Sequence, residues 1–367
     1  MLHNLHLLRA VAALAVVYFH TTSEAGLNLS GIGSHGVDVF FVISGFIIPY
    51  VEAQSAGAFL IRRIIRIVPF YWAATLALFA AALIVPHILH STGADFTQLL
   101  CSLFFIPFES SDGGVLPTLI LGWSLNYEMY FYVMFALALA VAPKRAPLAC
   151  SVGVLTILAV VDLSGSTHPS ATFYGRPLVV EFLYGVCAYY LFRLAERRAG
   201  WFARRPRLRK WLWFVVLNAT LTLGIEESHG GFGWPRFVAA GLPAFALVLA
   251  AVLLERLYGV SARFRPVLLM GESSYILYLI HPYVIYGVLR TMRWESANLS
   301  WPATIVLIVG LLLLSALAAI AIHVWFEKPV ITALRQRVHP RSDPIAPRHS
   351  RPTVYLAFRL ANRDTQP

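Results

Sequence analysis

Residues 303 to 325 read ATIVLIVGLLLLSALAAIAIHVW, an unbroken run without a Lys, Arg, Asp or Glu. In water such a segment has no polar face to turn outward. As a helix in lipid it can cross about 30 Å of hydrocarbon with its backbone groups bonded internally. Similar runs fill most of the chain. Of its 367 residues, 58% are hydrophobic and 13% charged. The apolar residues come in long blocks, not in the short alternations of a soluble core. The composition therefore predicts an all-α polytopic membrane protein and argues against one large globular core.

Ten spans are expected, at 5–22, 36–51, 67–86, 119–141, 148–164, 178–192, 211–225, 236–255, 273–289 and 303–326. An even count puts both termini on one side, and the basic residues decide which side that is. Loops 52–66, 142–147, 193–210 and 256–272, with the tail from 327, hold 24 of the 29 Lys and Arg. The alternate loops hold 3, and Arg9 and Arg236 complete the set. The positive-inside rule then predicts that both termini are cytoplasmic.

The net charge of +11 is accounted for by these loops, which meet anionic lipid at the cytoplasmic face. The bilayer is thus an expected partner. Nucleic acid is not, because no interleaved aromatic and basic pattern appears. Cys101, Cys150 and Cys187 are odd in number and lack CxxC spacing, so neither a disulfide framework nor a thiolate metal site is implied, and no metal is expected. The first apolar run lacks a basic leader and a small-residue cleavage site, and reads as a retained span. From about 338 the chain turns rich in Pro and Arg, which predicts disorder.

Charged and titratable residues inside a span are costly, so each is a functional candidate. Arg9 and His20 lie eleven positions apart in the first span, LRAVAALAVVYFH. On a helix that is three turns plus about 20°, and about 16.5 Å of rise. They share one face, with Arg9 near the cytoplasmic end and His20 near the outer end. Asp38 opens the second span, GVDVFFVISGFIIPYV, where a carboxylate can orient the imidazole of His20 or simply favour the helix N-terminus. Ser44 and Gly45 allow close approach of a helix or ligand. In RRIIRIVP (62–69), Arg63 and Arg66 share a face suited to a multi-oxygen anion, or serve as a topological anchor.

The fourth span opens GWSLNYEMYFYVMF. Its Glu128, with Trp123, Tyr127 and Tyr130 nearby, can bind sugar hydroxyls, tune His20, or be neutralised by Arg9 or Arg176. His281, within GESSYILYLIHP, has tyrosines as its nearest polar neighbours and reads as structural.

Together these stretches resemble the integral-membrane acyltransferase-3 family. The matching features are the Arg9-x10-His20 spacing, GVDVFFVISGF from Gly36, Arg63-x-x-Arg66, WSLNYE from Trp123 to Glu128, GESSYILYLIH from Gly271 to His281, and FEKP from Phe326. The NYEMYFY form resembles the exopolysaccharide-modifying branch. The periplasmic hydrolase-like domain fused to some relatives is not expected here.

The resemblance implies a multi-pass protein of the bacterial cytoplasmic (inner) membrane. Residues 1–330 would form the acyltransferase domain and 331–367 a basic, disordered cytoplasmic tail. It implies transfer of an acyl group, acetyl foremost, from cytoplasmic acyl-CoA to a hydroxyl of a cell-surface or exopolysaccharide sugar, free or lipid-linked. A sugar hydroxyl is a weak nucleophile at neutral pH, so the step requires a general base. His20 takes that role, with Asp38 orienting it and Glu128 beside it. Arg9, Arg63 and Arg66 would hold the donor phosphates, and Trp123, Tyr127 and Tyr130 the acceptor. The competing reading is a transporter that uses the same polar residues as a relay, although the two halves show no internal repeat.

Overall fold

A computed structural model of the chain describes residues 2–27, 31–51, 56–84, 95–109, 113–228, 233–292 and 300–338. The helices in the first half are α1 (His3–Glu24), α2 (Gly36–Val51), α3 (Ala56–Ile84), α4 (Phe96–Leu103), α5 (Gly122–Val141), α6 (Ala146–Ser164) and α7 (Pro169–Tyr174). The second half supplies α8 (Val180–Arg197), α9 (Ala199–Ala203), α10 (Pro206–Ser228), α11 (Arg236–Ala239), α12 (Gly241–Tyr258), α13 (Arg265–Thr291), α14 (Trp301–Ile322) and α15 (Lys328–Val338). Among the described residues there is no strand; one isolated bridge pairs Glu109 with Val115.

Within the described residues the ten predicted spans coincide with helical segments, the 236–255 span being divided between α11 and α12. Among the described residues, seven helical stretches are long and apolar enough to cross a membrane, by length and composition. Gly36–Val51 is shorter, at 16 residues. α10 and α13 are long enough but more polar: α10 opens with Arg207, Arg209 and Lys210, and α13 carries Glu272, Ser273, Ser274 and His281. The protein is thus an all-α polytopic membrane protein, and its less apolar helices include the one that bears polar groups inward.

α1 lies at the centre, packed against α13, α2, α12 and α14. Its buried positions include Ala10, Ala12, Ala13, Val16 and Val17, small side chains that admit close neighbours. Its N-terminus is capped from afar, since Glu255 of α12 accepts the backbone N–H of His3 at 2.8 Å and of Asn4 at 2.7 Å. These are two of the donors that the first helical turn leaves without an intrahelical partner. α1 and α13 run in parallel, because Arg9 reaches Ser274 while His20, further along α1, meets His281, further along α13.

The contact of α2 with α8 depends on two glycines. A Cβ on Gly45 would collide with the backbone carbonyl of Phe182, and one on Gly185 with that of Val42. The small-residue site predicted at Gly45 therefore receives a helix. Around it, the rings of Phe41, Phe131 and Phe182 stack at 4.6 and 4.7 Å between centroids.

The tail differs from expectation. Residues 328–338 form α15, which packs against α3, so the expected disordered tail beginning at 331 is helical as far as Val338. A five-residue π turn, His323–Glu327, joins α14 to α15 within one continuous helical stretch, Trp301–Val338. The Pro- and Arg-rich stretch from 339 lies outside the described residues.

Candidate active site

Arg9 and His20 both face α13, as their spacing predicts. Arg9 donates from Nε and Nη2 to Ser274 Oγ, at 3.1 and 2.9 Å. The ring of half-buried His20 lies 5.1 Å from that of His281, centroid to centroid.

His281 is fully buried. Its Nδ1 lies 3.1 Å from the carbonyl oxygen of Leu277. A carbonyl only accepts, so Nδ1 carries the proton and Nε2 is left as a lone-pair acceptor. Among the described residues that Nε2 has no hydrogen-bond partner. The tyrosines expected to satisfy His281 are engaged elsewhere: Tyr275 donates to the Ile67 carbonyl at 2.7 Å and Tyr283 to that of Ala74 at 2.9 Å. The Tyr278 hydroxyl bonds Ser124 Oγ at 2.7 Å. His281 thus presents an unused acceptor beside the predicted base, which sequence reading missed.

Asp38 does not orient His20. Its carboxylate, 0% exposed, accepts from Arg236 Nε at 2.9 Å and Nη2 at 2.7 Å, and His35 Nδ1 lies 3.2 Å from its Oδ2. Among the described residues no hydrogen bond joins it to His20. The connection into α2 explains the difference: Gly33 packs on Ala15 and Gly36 on Ala12, so α2 starts below the outer end of α1. Ala15 is about 7.5 Å of helical rise from His20. At Gly33, with φ +110°, a Cβ would run into the Ala15 carbonyl, so both the backbone conformation and the close approach call for glycine. Glu181, from the first turn of α8 and equally buried, lies against Asp38.

Glu128 belongs to the Arg9 end of the stripe. Its Oε1 accepts from Ser44 Oγ at 3.2 Å and from the Tyr132 hydroxyl, tying α5 to α2. Arg9 lies within electrostatic reach of Glu128 and of Glu327, with no direct ion pair to either. Of the roles read for Glu128, the placement favours charge balance for Arg9 over contact with His20. Glu327, turned inward by the π turn, is bonded to His323 Nδ1 at 2.5 Å. Turns of this kind often mark functional positions.

The predicted arginine pair sits where α3 meets α15. The Arg63 guanidinium lies over the rings of Phe59 and Tyr132, at 5.3 and 5.5 Å. Arg66 is half-buried and within electrostatic reach of Arg9. Arg335 of α15 stands within reach of Arg62, Arg63 and Arg66, a contribution hidden from sequence because it depends on α15 packing against α3.

The three aromatic candidates separate. Trp123 and Tyr127 line a cavity of about 460 Å³ with Phe173, Arg176 and Arg236. The Tyr127 hydroxyl donates to the Phe173 carbonyl at 2.5 Å, so its proton is not available to the cavity. Tyr130 instead stacks on Tyr174 at 4.9 Å and does not line the cavity. Among the described residues, no group of three or more His, Cys, Asp and Glu could hold a metal ion.

A membrane bundle whose central helix presents an arginine and a histidine along one buried stripe, together with a cavity walled by aromatics, has the layout of an integral-membrane transferase. The chain belongs to the acyltransferase-3 family: the family profile, described as an acyltransferase domain, matches residues 2–320. It is 32% identical over 327 residues to the exopolysaccharide production protein ExoZ of Rhizobium meliloti (strain 1021), covering 87% of this chain and 96% of that one. It is 28% identical over 367 residues to the putative peptidoglycan O-acetyltransferase YrhL of Bacillus subtilis (strain 168), covering 89% of this chain. It spans 54% of that longer relative. The acyltransferase MdmB of Streptomyces mycarofaciens is 26% identical, with 90% of this chain and 92% of that one covered. No solved structure matches. The protein is a multi-pass membrane acyltransferase, which favours that reading over transport.

Proposed function

We propose that the protein transfers an acyl group, acetyl foremost, from cytoplasmic acyl-CoA to a hydroxyl of a cell-surface or exopolysaccharide sugar at the outer side of the bacterial inner membrane. The observation that carries this reading is the α1 stripe, with Arg9 on Ser274 and His20 beside His281. The two ends are separated by about 16.5 Å of helical rise, comparable with an extended pantetheine arm. The names of ExoZ and YrhL, one an exopolysaccharide production protein and the other a putative O-acetyltransferase, support the acceptor class.

Arg9, Arg63 and Arg66, with Arg335 from α15, suit the donor phosphates. Cations with several N–H donors match phosphate oxygens, and Arg66 and Arg335 carry no ion pair among the described residues. The thioester then lies toward His20. The imidazole of His20 removes the proton from the acceptor hydroxyl as its oxygen attacks the thioester carbonyl. The C–S bond breaks, and the thiolate of coenzyme A takes the proton back from the imidazolium. His281 Nε2, an acceptor whose ring lies 5.1 Å from that of His20, is placed to take the N–H of His20 as the rings turn together and so to fix its tautomer, the role that Asp38 cannot fill from its clasp with Arg236.

The test is transfer of label from radiolabelled acetyl-CoA to a lipid-linked saccharide extract in nanodiscs, comparing the parent with His20→Ala. Label in saccharide with the parent, reduced by about 10² to 10⁴ in the variant, is the expected result. Folded parent protein that neither binds donor nor transfers label would overturn the reading.

A further inference from the structure

The cavity at Trp123 has a one-sided chemistry. Among the described residues that line it, the polar side chains are Trp123, Tyr127, Arg176 and Arg236; the Trp and Arg side chains only donate, and the Tyr127 hydroxyl, having given its proton to Phe173, keeps only its oxygen. None of these lining residues brings a carboxylate or an amide side chain. A neutral sugar presents hydroxyls that donate as well as accept, and a site built for one needs acceptors. With two guanidiniums and an indole N–H against one phenol oxygen, this wall favours a group rich in acceptors.

The position of these arginines sharpens the point. The basic-residue count leaves four Arg at the predicted outer ends of the spans, namely Arg176, Arg236, Arg290 and Arg293, and two of the four line this one cavity. Basic residues on that side act against the charge rule that orients the chain, so they require another reason to be there. Arg236 is held by the two hydrogen bonds it donates to Asp38, with His35 behind, while its side chain stays 40% exposed. Its guanidinium lies 6.0 Å from the Trp123 ring. Asp38 compensates much of its charge. Arg176 is exposed; its guanidinium lies 6.0 Å from the Phe173 ring, and no acid stands within ion-pair distance among the described residues.

We propose that the acceptor carries an oxyanion, and that Arg176, with Arg236 oriented by Asp38, binds it in this cavity while Trp123 stacks on a sugar face. The acceptor class is an anionic saccharide, its charge either a sugar carboxylate or the phosphate of a carrier-linked form. This rests on the acyltransferase reading for the sugar, but the anion site is measurable without turnover.

The experiment is equilibrium binding to the full chain in zwitterionic-lipid nanodiscs, with three probes: a glucuronate-containing disaccharide, its neutral glucose counterpart and a sugar 1-phosphate. At least one anionic probe should bind about tenfold or more tighter than the neutral one, the size of a charged hydrogen-bonded contact. Arg176→Gln should remove that preference, and Arg176→Lys should keep part of it. Preference for the uronate assigns the charge to the sugar, and preference for the phosphate assigns it to the carrier. Equal binding of all three, or a preference unchanged in a folded Arg176→Gln, overturns the proposal. If the parent binds anionic sugars selectively yet never transfers label, the function reading fails and the anion site stands. Transfer to neutral and anionic acceptors alike, insensitive to Arg176, means the opposite: the acyltransferase reading stands and the anion site falls.

Discussion

The carboxylate of Asp38 and the guanidinium of Arg236 are joined by two hydrogen bonds, 2.9 and 2.7 Å long, across 198 positions of sequence. Breaking such a pair from the arginine side strands a carboxylate that is 0% exposed. Arg236→Gln is therefore expected to destabilise the bundle by about 3 kcal/mol. The double variant Asp38→Asn/Arg236→Gln should recover part of the loss, because no unpaired charge is left behind. Thermal unfolding in detergent of the two single variants and the double checks both signs; strict additivity would mean that the pair does not couple.

His281 is expected to act on rate and not on donor binding. His281→Phe, which removes the Nε2 acceptor beside His20, should lower the maximal rate at least tenfold and leave the donor concentration at half-saturation nearly unchanged. His281→Gln keeps an acceptor at similar reach and should retain more activity than His281→Phe. Steady-state kinetics against acetyl-CoA separate the two effects. Equal loss in both variants would assign His281 to packing alone.

The arginines at the junction of α3 and α15 should show the opposite signature. Arg66→Gln is expected to raise the half-saturating donor concentration about tenfold with little change in maximal rate, and Arg335→Gln to act in the same direction. An acetyl donor lacking the 3′-phosphate of coenzyme A should bind the parent more weakly. It should show little further loss in whichever variant has already lost that contact. The same rate-against-concentration curves, run with both donors, make the comparison.

At the contact between α2 and α8 even one methyl group has nowhere to go, since a Cβ on Gly45 or Gly185 points into backbone atoms of the facing helix. Gly45→Ala and Gly185→Ala should each cost about 1 to 3 kcal/mol despite the better helix propensity of alanine. Denaturant titration in mixed micelles measures it. A neutral or stabilising result would show that the two helices can separate without loss.

The lengths of the apolar blocks and the placement of Arg9 and His20 on one face are legible in the sequence, and the structure places both against α13. Asp38, Glu128 and Tyr130 are legible as polar or aromatic residues of the site, but not by partner. Asp38 pairs with Arg236, Glu128 with Ser44 and Tyr132, and Tyr130 with Tyr174. Arg236 stands out in the sequence only as a remainder of the basic-residue count. Its position, one of four Arg at the predicted outer ends, is the signal that could have found it.

By itself the sequence determined the helical membrane bundle and the polar stripe of α1. Hydropathy over a run of about 20 residues and the period of 3.6 residues per turn are local properties, and no neighbour is needed to read them. Only the tertiary structure decided who meets whom across helices. Gly33 and Gly36 seat the start of α2 on Ala15 and Ala12, which carries Asp38 away from His20 and toward Arg236. The continuation of α14 through the π turn into α15 sets that helix against α3 and brings Arg335 to the other arginines. Such partnerships depend on the vertical offset and lateral order of whole helices, set by close backbone contacts between segments far apart in the chain.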